Sequence, residues 1–551
     1  MWLDTRPWSM AGCSKKFMTN NKIKNQSKRG IRQSMAILHT WTGLLLGWIL
    51  FSMFLTGTVS YFREEITQWM RPELVQPSRK IDAAAISDTI LTKLKEIAPS
   101  DRVSQWSITL PEERQSLVSA SWRISGQSGR GRGNSAFFDP NSGNQIQPRE
   151  TRGGDFFYRF HFEFYNIPFP WGRWLAGLAG MFMLVAIISG VITHKKFFSD
   201  FFTFREHKGL RSWMDAHIAL SVFGLPFHLM ITYTGLVALM TLYMPWSALV
   251  GINTPNLKAE YEAQTQATLR PLSRSGLSAP LTAVGPLVHQ AEARWGPGHV
   301  GRVIVMNPGD SSARISLSRS VDTRVSTSPE TLIFDGVNGQ LLERSTAIGP
   351  AAQTRGVMYG LHMGRFADVS LRWMYFIVSL AGTAMVGTGL VMWPIKRRPK
   401  LHDQKYSDLG FRIVERLNIV AIAGLPLAMA AMLWSNRLLP VTLENRSAWE
   451  IRVFFITWLF SLLYAFLRPV KQGWLEQLGL VSCALGILPF ISWLTTDRPI
   501  WQSIASHSWT FLAVELMFWC FSIIFAVIAI RVSDNTKKIK KHGKSITASR
   551  A

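Results

Sequence analysis

Cysteine is scarce in this chain of 551 residues, which has three copies. Cys13, Cys483 and Cys520 show neither Cys-x-x-Cys nor Cys-x-x-Cys-His spacing. We therefore expect no disulfide framework, no cysteine-ligated iron–sulfur cluster and no covalently attached haem. A Gly-x-Gly-x-x-Gly fingerprint after a strand is also missing. The Gly126–Gly133 run opens no helix, so we interpret it as a hairpin loop and expect no flavin or nicotinamide domain.

Charged residues are scarce too, at 17% of the chain, whereas 47% of residues are apolar and 12% are aromatic. Such a composition, with its apolar residues in long blocks, excludes a disordered or fibrous protein. The charge that is present is mostly positive, with 60 Lys and Arg against 35 Asp and Glu and a net charge of +25. Basic loops beside apolar runs of about 20 residues are typical of integral membrane proteins, so we expect a lipid bilayer, and no nucleic acid, as a partner.

Eight stretches are long and apolar enough to cross a bilayer core of about 30 Å. The predicted spans are 37–61, 172–193, 217–243 and 370–394, followed in the C-terminal segment 411–530 by about 411–434, 450–467, 474–495 and 508–530. The first span is too long for a cleaved signal peptide and lacks a small-residue cleavage site. The sequence therefore predicts an α-helical integral membrane protein.

Lysine and arginine fall on one side of the membrane when these spans alternate. They cluster in the N-terminal segment 1–36, the loops 194–216 and 395–410, and the C-terminal tail 531–551. The positive-inside rule then predicts that both termini are cytoplasmic.

Two long segments, 62–171 and 244–369, fall on the opposite side of the membrane. Alternating stretches such as Val103–Leu110 and Arg302–Met306 predict strands within them. We expect each segment to form a small α+β domain, inserted between spans 1 and 2 and between spans 3 and 4.

The first four spans and the two exported segments form an internal repeat, in which a unit of two spans and one exported segment occurs twice. His39 and His217 open spans 1 and 3, and Thr56-Gly57 and Thr234-Gly235 follow at the same offset of 17 residues. The other repeated features are the turns Phe137–Gly143 and Ile333–Gly339, the histidines His161 and His362 before the returning spans, and the pairs Ser189-Gly190 and Thr388-Gly389 near their ends.

Span 5 carries a fainter echo of span 3, since Gly424-Leu425-Pro426 matches Gly224-Leu225-Pro226. Leu417 and Ala428 stand where histidines would be, and the last four spans hold no membrane-embedded histidine. We expect a structural or docking role for the C-terminal segment.

The repeated unit of helix, exported segment with a Phe-Asp turn, and returning helix resembles the PepSY-associated transmembrane proteins. The resemblance covers about residues 35–398. That family includes ferric-siderophore reductases and iron-uptake factors of the bacterial inner membrane. The resemblance thus implies an inner-membrane location, PepSY-like exported domains and a role in iron uptake.

Six of the twelve histidines lie at or within the first four spans, where an ionisable side chain is a functional candidate. The cytoplasmic level comprises His39, His194 and His217, and the outer level comprises His161, His362 and the deeper His228. Two imidazoles from facing helices can hold one non-covalent haem. We therefore expect two haems b, one at each level, with His228 paired to His161 or His362. Arg173 and Arg365, downstream of the outer histidines, are equally suited to haem propionates and to lipid headgroups.

The leading hypothesis is a di-haem reductase that passes electrons across the inner membrane to a ferric siderophore, or another ferric chelate, in the periplasm. Electrons would come from membrane quinol or a separate cytoplasmic reductase. Two alternatives stay open. One is a permease for a siderophore or small solute, because repeats and interrupted helices are features of transporters. The other is a non-catalytic membrane anchor whose PepSY-like domains bind a partner.

Overall fold

A computed structural model describes residues 30–548 apart from 75–81, 113, 116, 126–133, 195–200, 207, 245, 247–272, 329, 346–348, 402–408 and 497. The basic segment 1–29, the Gly126–Gly133 run, His207 and His402 lie outside the described residues, as do the side chains of the basic tail beyond 534. The described chain is mostly helical and contains one β-sheet.

The helices of the repeated part are α1 Ile31–Leu45, α2 Gly47–Ser60, α3 Arg63–Met70, α4 Ala83–Ile97, α5 Asp155–Glu163, α6 Trp171–Thr193, α7 Leu210–Phe223, α8 Leu225–Ala238, α9 Met240–Tyr243, α10 Gly285–Trp295, α11 Pro350–Met363 and α12 Val369–Leu401, with a 3₁₀ turn at Pro72–Leu74. Those of the C-terminal part are α13 Leu409–Ile419, α14 Leu425–Leu438, α15 Arg446–Leu467, α16 Val470–Thr496, α17 Ile500–Ala505 and α18 Trp509–Ala548. A π-helical turn, Val420–Gly424, joins α13 to α14.

Six helices or continuous helical stretches of the described chain are long and apolar enough to cross a membrane, and up to eight spans result if two bent helix pairs each count as one. The bent pairs are α1 with α2 (66°) and α7 with α8 (68°), which are the predicted spans 1 and 3. The chain is therefore a multi-pass membrane protein.

The bends occur at the same place in both repeats. In the second repeat, Pro226 in the first turn of α8 has no N–H to donate, and a helix commonly breaks at such a residue. The matching Gly-Leu-Pro motif in span 5 does not divide its span. A π-helical turn precedes Pro426, and the stretch Leu409–Leu438 remains one span.

The two inserted segments build one sheet rather than two separate domains. Its strands are β1 Val103–Thr109, β2 Val118–Ile124, β3 Asn134–Phe138, β4 Gln145–Ile146, β5 Val300–Met306, β6 Arg314–Arg319, β7 Thr331–Asp335 and β8 Leu341–Ser345. The order β4-β3-β2-β1-β5-β6-β7-β8 places the two halves side by side, because β1 pairs antiparallel with β5. The first strand of each repeat thereby covers the exposed edge of the other.

Both halves carry the same predicted turn. Asp139 and Asp335 each accept hydrogen bonds from backbone N–H groups two residues on, at 2.7 and 2.9 Å. The turns close at Gly143 and Gly339, whose positive φ values of 67° and 74° suit glycine.

The sheet has one face in a hydrophobic core and one face toward the membrane helices. Helices α4 and α10 pack on the first face, together with alternate strand residues such as Val303 and Val305. The intervening residues Arg302 and Ile304 line a cavity that extends into the helix bundle. We call this end of the bundle the sheet side and the opposite end the far side.

The C-terminal helices pack against the segments that flank the first sheet half. Trp69 of α3 and Phe160 of α5 share a buried cluster with Phe454, and all three are almost fully buried. A polar network lies beside it, where the fully buried Arg446 and Glu450 form an ion pair at 2.5 Å. These contacts fit the structural role expected for the segment.

Candidate functional site

Histidines from the two repeats meet in pairs at two levels of the bundle. At the far side, the ring centroids of His39 and His217 lie 6.2 Å apart with an angle of 76° between the rings. At the sheet side, the ring centroids of His161 and His362 also lie 6.2 Å apart, with an angle of 36°. Each pair therefore takes one histidine from each copy of the repeat.

Every paired histidine is held in the same way, by a backbone carbonyl of the neighbouring helix. The Nδ1–H of His39 donates to Ala186 O at 2.8 Å, and that of His217 donates to Met385 O at 2.9 Å. At the sheet side, the acceptors are Met53 O for His161, at 2.6 Å, and Ile231 O for His362, at 3.0 Å. Because a carbonyl can only accept, Nδ1 carries the proton and Nε2 keeps the lone pair that binds a metal.

The repeated Ser/Thr-Gly pairs lie beside these four carbonyls. Each hydroxyl residue follows the acceptor by three positions, and each glycine follows it by four, so they share one helix face. Three of the hydroxyl groups also lie near the imidazole: Ser189 at 3.4 Å, and Thr388 and Thr234 at 3.2 Å from Nδ1. Each carbonyl acceptor, with the Ser/Thr-Gly pair that follows it, thus forms the binding position of one histidine ring. We call this position a histidine seat.

The glycines of these seats give the rings room. A Cβ at Gly57 would lie 2.7 Å from His161 Nδ1, and one at Gly235 would lie 2.8 Å from His362 Cε1. The far-side seats are looser, with 3.2 Å at Gly190 and 3.3 Å at Gly389 to the nearest ring atom. An alanine would therefore press on the ring most strongly at the sheet side.

The spacing within each pair matches one iron between two imidazoles. Two iron–nitrogen bonds of about 2 Å, with a ring radius behind each nitrogen, place the ring centroids about 6 Å apart. The described residues contain no cluster of three or more His, Cys, Asp and Glu side chains arranged for a metal ion. Two imidazoles at each level could hold one iron if their Nε2 atoms face each other.

A cavity of about 670 Å³ connects the sheet-side pair with the membrane face of the sheet. This volume lies within the range of about 300–1,000 Å³ that is usual for ligand and cofactor sites. Gly177 and Gly180 of α6 and Phe54 of α2 line its inner part, whereas Arg302 of β5 and Ser318 of β6 line its outer part. One continuous space therefore reaches from the histidine pair to the sheet.

The two candidate arginines have different surroundings. Arg365 lines the cavity, and its buried Nε has no hydrogen-bond partner. Arg173 forms an ion pair with Glu163 and lies over the rings of Phe162 and Phe169, at 5.3 Å from each centroid. The Nε of Arg173 is also buried without a hydrogen-bond partner, so it is the position of Arg365 in the cavity wall that favours this arginine as the group that meets an anion at the sheet-side site.

The structure brings His161 and His362 together and leaves the His228 ring in contact with Phe54 and Phe227, so it does not show the expected pairing of His228 with either histidine. The His228 side chain is 1% exposed, and its Nε2–H donates to Val378 O at 3.2 Å. Its Nδ1 is buried without a partner, beside the ring of Phe54. This hydrogen bond uses the opposite nitrogen from that in the four paired rings.

His194, the third candidate of the far-side level, ends α6 as its C-cap, with its backbone N–H bonded to Gly190 O at 3.1 Å. It is half-buried and makes no ring contact with the His39–His217 pair in the described chain. It lies near enough to the far-side pair to interact electrostatically with His39 and His217, without a ring contact to either.

Sequence reasoning does not find two elements of the site. The carbonyl acceptors have no side-chain signature, although the adjacent Ser/Thr-Gly pairs are visible as a repeat. The cavity wall also carries Glu112, Ser320 and Asp322, which lie far apart in sequence and outside the repeated motifs.

The fold and the site define a multi-pass membrane protein with a twofold internal repeat, paired intramembrane histidines and one sheet built from both repeats. Its sequence matches the model of the PepSY-associated TM region over residues 36–396, and the chain belongs to this family. It is similar to a protein of Pseudomonas aeruginosa described as uncharacterized, with 25% identity over 360 residues that cover 60% of this chain and 86% of the relative.

Proposed function

We propose that this protein carries electrons across the bacterial inner membrane through two non-covalent haems b and delivers them to a ferric siderophore or similar ferric chelate. The proposal rests on the two histidine pairs, His39 with His217 and His161 with His362. In each pair the ring centroids lie 6.2 Å apart. A haem iron held by two imidazoles gains and loses one electron, and this is the chemistry that the group supplies.

The residues present fit a haem at both levels. Each of the four rings is half-buried and keeps an accessible surface, and each is oriented by a carbonyl that leaves Nε2 for the metal. The glycine seats keep the rings from being displaced by a neighbouring Cβ. At the sheet side, the unpartnered Nε of Arg365 is placed to donate to a propionate.

The two sites lie at different depths, as transport across a membrane requires. Helix α6 connects them, since Gly180 lines the sheet-side cavity and Gly190 seats His39. Ten residues of helix separate these glycines, which is about 15 Å at 1.5 Å per residue.

The orientation follows from the basic loops. Lys208, Arg211, Lys396 and Arg397 lie at the far side, next to the helices of His217 and of its seat. By the positive-inside rule this side is cytoplasmic, and the sheet and its cavity face the periplasm. Membrane quinol or a separate cytoplasmic reductase would supply electrons at the far side.

The cavity wall offers hydrogen-bond donors to the oxygen atoms of a ferric chelate. Arg302 and Arg365 line it, and the hydroxyls of Ser316 and Ser318 add neutral donors. Reduction of ferric to ferrous iron weakens its hold by hard oxygen ligands, so one electron releases the metal. The sheet would thus hold the chelate on the periplasmic side of the His161–His362 pair.

The bent helices favour one alternative, a permease for the chelate or another solute. Transporters use broken helices at their binding sites, and the breaks at Leu46 and Gly224 fall at equivalent places of the two repeats. A permease needs no haem, so a colourless protein that moves a ferric chelate into vesicles would favour it. A colourless protein that does neither would favour the anchor.

The proposal is tested with the full chain in nanodiscs, reduced with dithionite and mixed with a ferric trihydroxamate and a ferrous-iron trap. We expect the haem absorption to return to the oxidised form as trapped ferrous iron accumulates. His362→Ala should stop both processes, whereas Cys483→Ser, at an exposed position in the C-terminal helices, should not change them. A wild-type protein that stays reduced in the presence of the chelate would contradict the proposal.

A further inference from the structure

A chain of three oxygen-bearing side chains lies in the wall of the cavity, at the sheet. Ser320 Oγ lies 2.7 Å from Glu112 Oε1 and also bonds to Asp322 Oδ1. All three residues line the cavity, and Ser320 is 3% exposed. The sheet-side histidine pair lines the same cavity.

Both contacts of Ser320 are hydrogen bonds when one of the two carboxyl groups carries a proton. A hydroxyl has a single hydrogen, so Ser320 can donate to only one of the two carboxyl groups. The other contact is a hydrogen bond only if that carboxyl carries a proton and donates it to Ser320 Oγ. Glu112, Ser320 and Asp322 thus form a short row of oxygen atoms along which a proton can pass.

Both carboxyl groups are half-buried, and the proton is assigned to Glu112 because its surroundings disfavour the charged form. Burial raises the pKa of Glu112, and the nearby Asp322 and Glu64 act in the same direction, while the Ser320 hydroxyl and Arg365 oppose them. Asp322 is half-buried and has access to water. The other charged and titratable groups that line the cavity are Tyr61, Arg63, Glu64, Arg114, Tyr158, His161, Tyr243, Arg302, Arg319, Asp322, Tyr359, His362 and Arg365.

Gly301 of β5 has no side chain, and this leaves space for the Glu112 carboxyl group. A Cβ at Gly301 would lie 3.2 Å from Glu112 Oε1 and 3.0 Å from Ser320 Cα. The backbone of Gly301 also accepts a hydrogen bond from the Leu110 N–H at 2.9 Å, which fixes the chain that leads to Glu112. The pairing of β1 with β5 thus positions Glu112 and Ser320 at the cavity surface.

We propose that Glu112 is the proton donor to the chelator oxygen that leaves iron when the ferric chelate is reduced, with Ser320 and Asp322 as the relay that restores its proton. This inference rests on the proposed function. An oxyanion that stays unprotonated rebinds the metal, so a proton delivered with the electron makes release irreversible.

The step balances in electrons and protons. Ferric iron of the chelate takes one electron from the reduced protein and becomes ferrous. One iron–oxygen bond of the chelate breaks, and the freed oxygen takes the proton of the Glu112 carboxyl to form an O–H bond. The Glu112 carboxylate then regains a proton from water through Asp322 and Ser320.

The experiment compares two electron acceptors on the full, haem-loaded chain in nanodiscs. Ferricyanide accepts an electron without a proton, whereas a ferric trihydroxamate needs protons to release its iron. For wild type we expect the trihydroxamate rate to fall as the pH rises through the pKa of Glu112, because the donor loses its proton. The ferricyanide rate should not follow this profile.

The variants separate proton donation from structural damage. Glu112→Gln should slow trihydroxamate reduction by about 100-fold at low pH and remove the pH dependence, since a general acid contributes about 10²–10⁴ to a rate. Its ferricyanide rate should equal that of wild type. Glu112→Asp should restore part of the trihydroxamate rate. Glu64→Gln, at another carboxylate of the cavity, should keep the pH dependence but move it to lower pH, because Glu64 is one of the groups that raise the pKa of Glu112.

The relay has its own test, because it is needed only after the first proton has left. Ser320→Ala should leave the first turnover unchanged and slow the later ones. The inference is overturned if Glu112→Gln reduces the trihydroxamate at the wild-type rate, or if it slows both acceptors equally. A wild-type chain that reduces neither acceptor would overturn the proposed function, and this inference with it.

Discussion

The substitution Gly57→Ala tests the position of the His161 ring without replacing any histidine. The added Cβ would lie 2.7 Å from His161 Nδ1 and 2.8 Å from Cε1, and real Cβ atoms essentially never show such distances. Gly57 lies within α2, and the ring is held against that helix by Met53 O. Either the ring or the helix must move, and the imidazole would leave the position in which it faces His362.

The expected magnitude follows from overpacking. Insertion of a methyl group into a packed contact costs about 1–3 kcal/mol. If the whole cost appears in the haem-bound state, it weakens haem binding at the sheet-side site by about 5- to 150-fold. Intrinsic helix propensity does not add to this loss, because alanine is the better helix former by about 1 kcal/mol.

The assay is a competition for haem by apomyoglobin, followed by absorption, on purified protein in detergent. Gly57→Ala should lose one of two haems quickly and keep the other at the wild-type rate. Gly190→Ala, whose Cβ would lie 3.2 Å from His39 Cε1, should show a smaller effect at the far-side haem. Gly43→Ala is the matched control, since a Cβ there meets nothing within 4 Å.

The reasoning fails if Gly57→Ala holds both haems as tightly as Gly43→Ala does. It also fails if Gly190→Ala, at the looser seat, loses its haem more readily than Gly57→Ala, because the order of the effects comes directly from the distances.

Three further predictions concern other parts of the molecule. Arg365→Gln should lower the midpoint potential of one haem in a spectroelectrochemical titration, whereas Arg173→Gln should not, because that arginine is bound to a glutamate; equal shifts in both variants would contradict the assignment of the propionate. Glu450→Gln should destabilise the protein by about 3–5 kcal/mol, because it leaves a fully buried arginine without its partner, and an unchanged thermal midpoint in detergent would refute this. Reporter fusions at Gly133 and Ser326 should be active only as exported reporters, and a cytoplasmic signal from either would reverse the topology.

Much of the membrane part could be predicted because its signals are local. Long apolar stretches predict helices, and the strict offset between His39 and Thr56-Gly57 and between His217 and Thr234-Gly235 reveals the repeat. The reason for this offset is a contact in the folded protein, which the sequence alone does not show. Thr56-Gly57 seats the histidine of the returning segment, His161, rather than the histidine that precedes it.

The union of the two exported segments into one sheet could not be predicted, because it depends on a pairing between strands about 200 residues apart. Trp106 of β1 pairs with Val305 of β5, and each strand shows the same alternation whether it lies at an edge or in the centre. The bends at Leu46 and Gly224 have a local signal only in the second repeat, where Pro226 follows.

The surroundings of His228 could not be predicted from the sequence, for a physical reason. A deep imidazole needs a partner, and the sequence offers only other histidines as conspicuous candidates. The structure supplies the Val378 carbonyl instead, next to Gly382, whose Cβ would lie 2.9 Å from His228 Nε2. Backbone acceptors of this kind are available along any helix that approaches closely, and a single sequence does not show which helices do so.

The haem content of the purified chain, measured as pyridine haemochrome per polypeptide, tests the central claim most directly. The account predicts two non-covalent haems b in wild type, one in His39→Ala and one in His362→Ala. It predicts two in His228→Ala, because that ring lies outside both pairs. A colourless wild-type protein, or a full complement of two haems in His39→Ala and His362→Ala, would contradict the account.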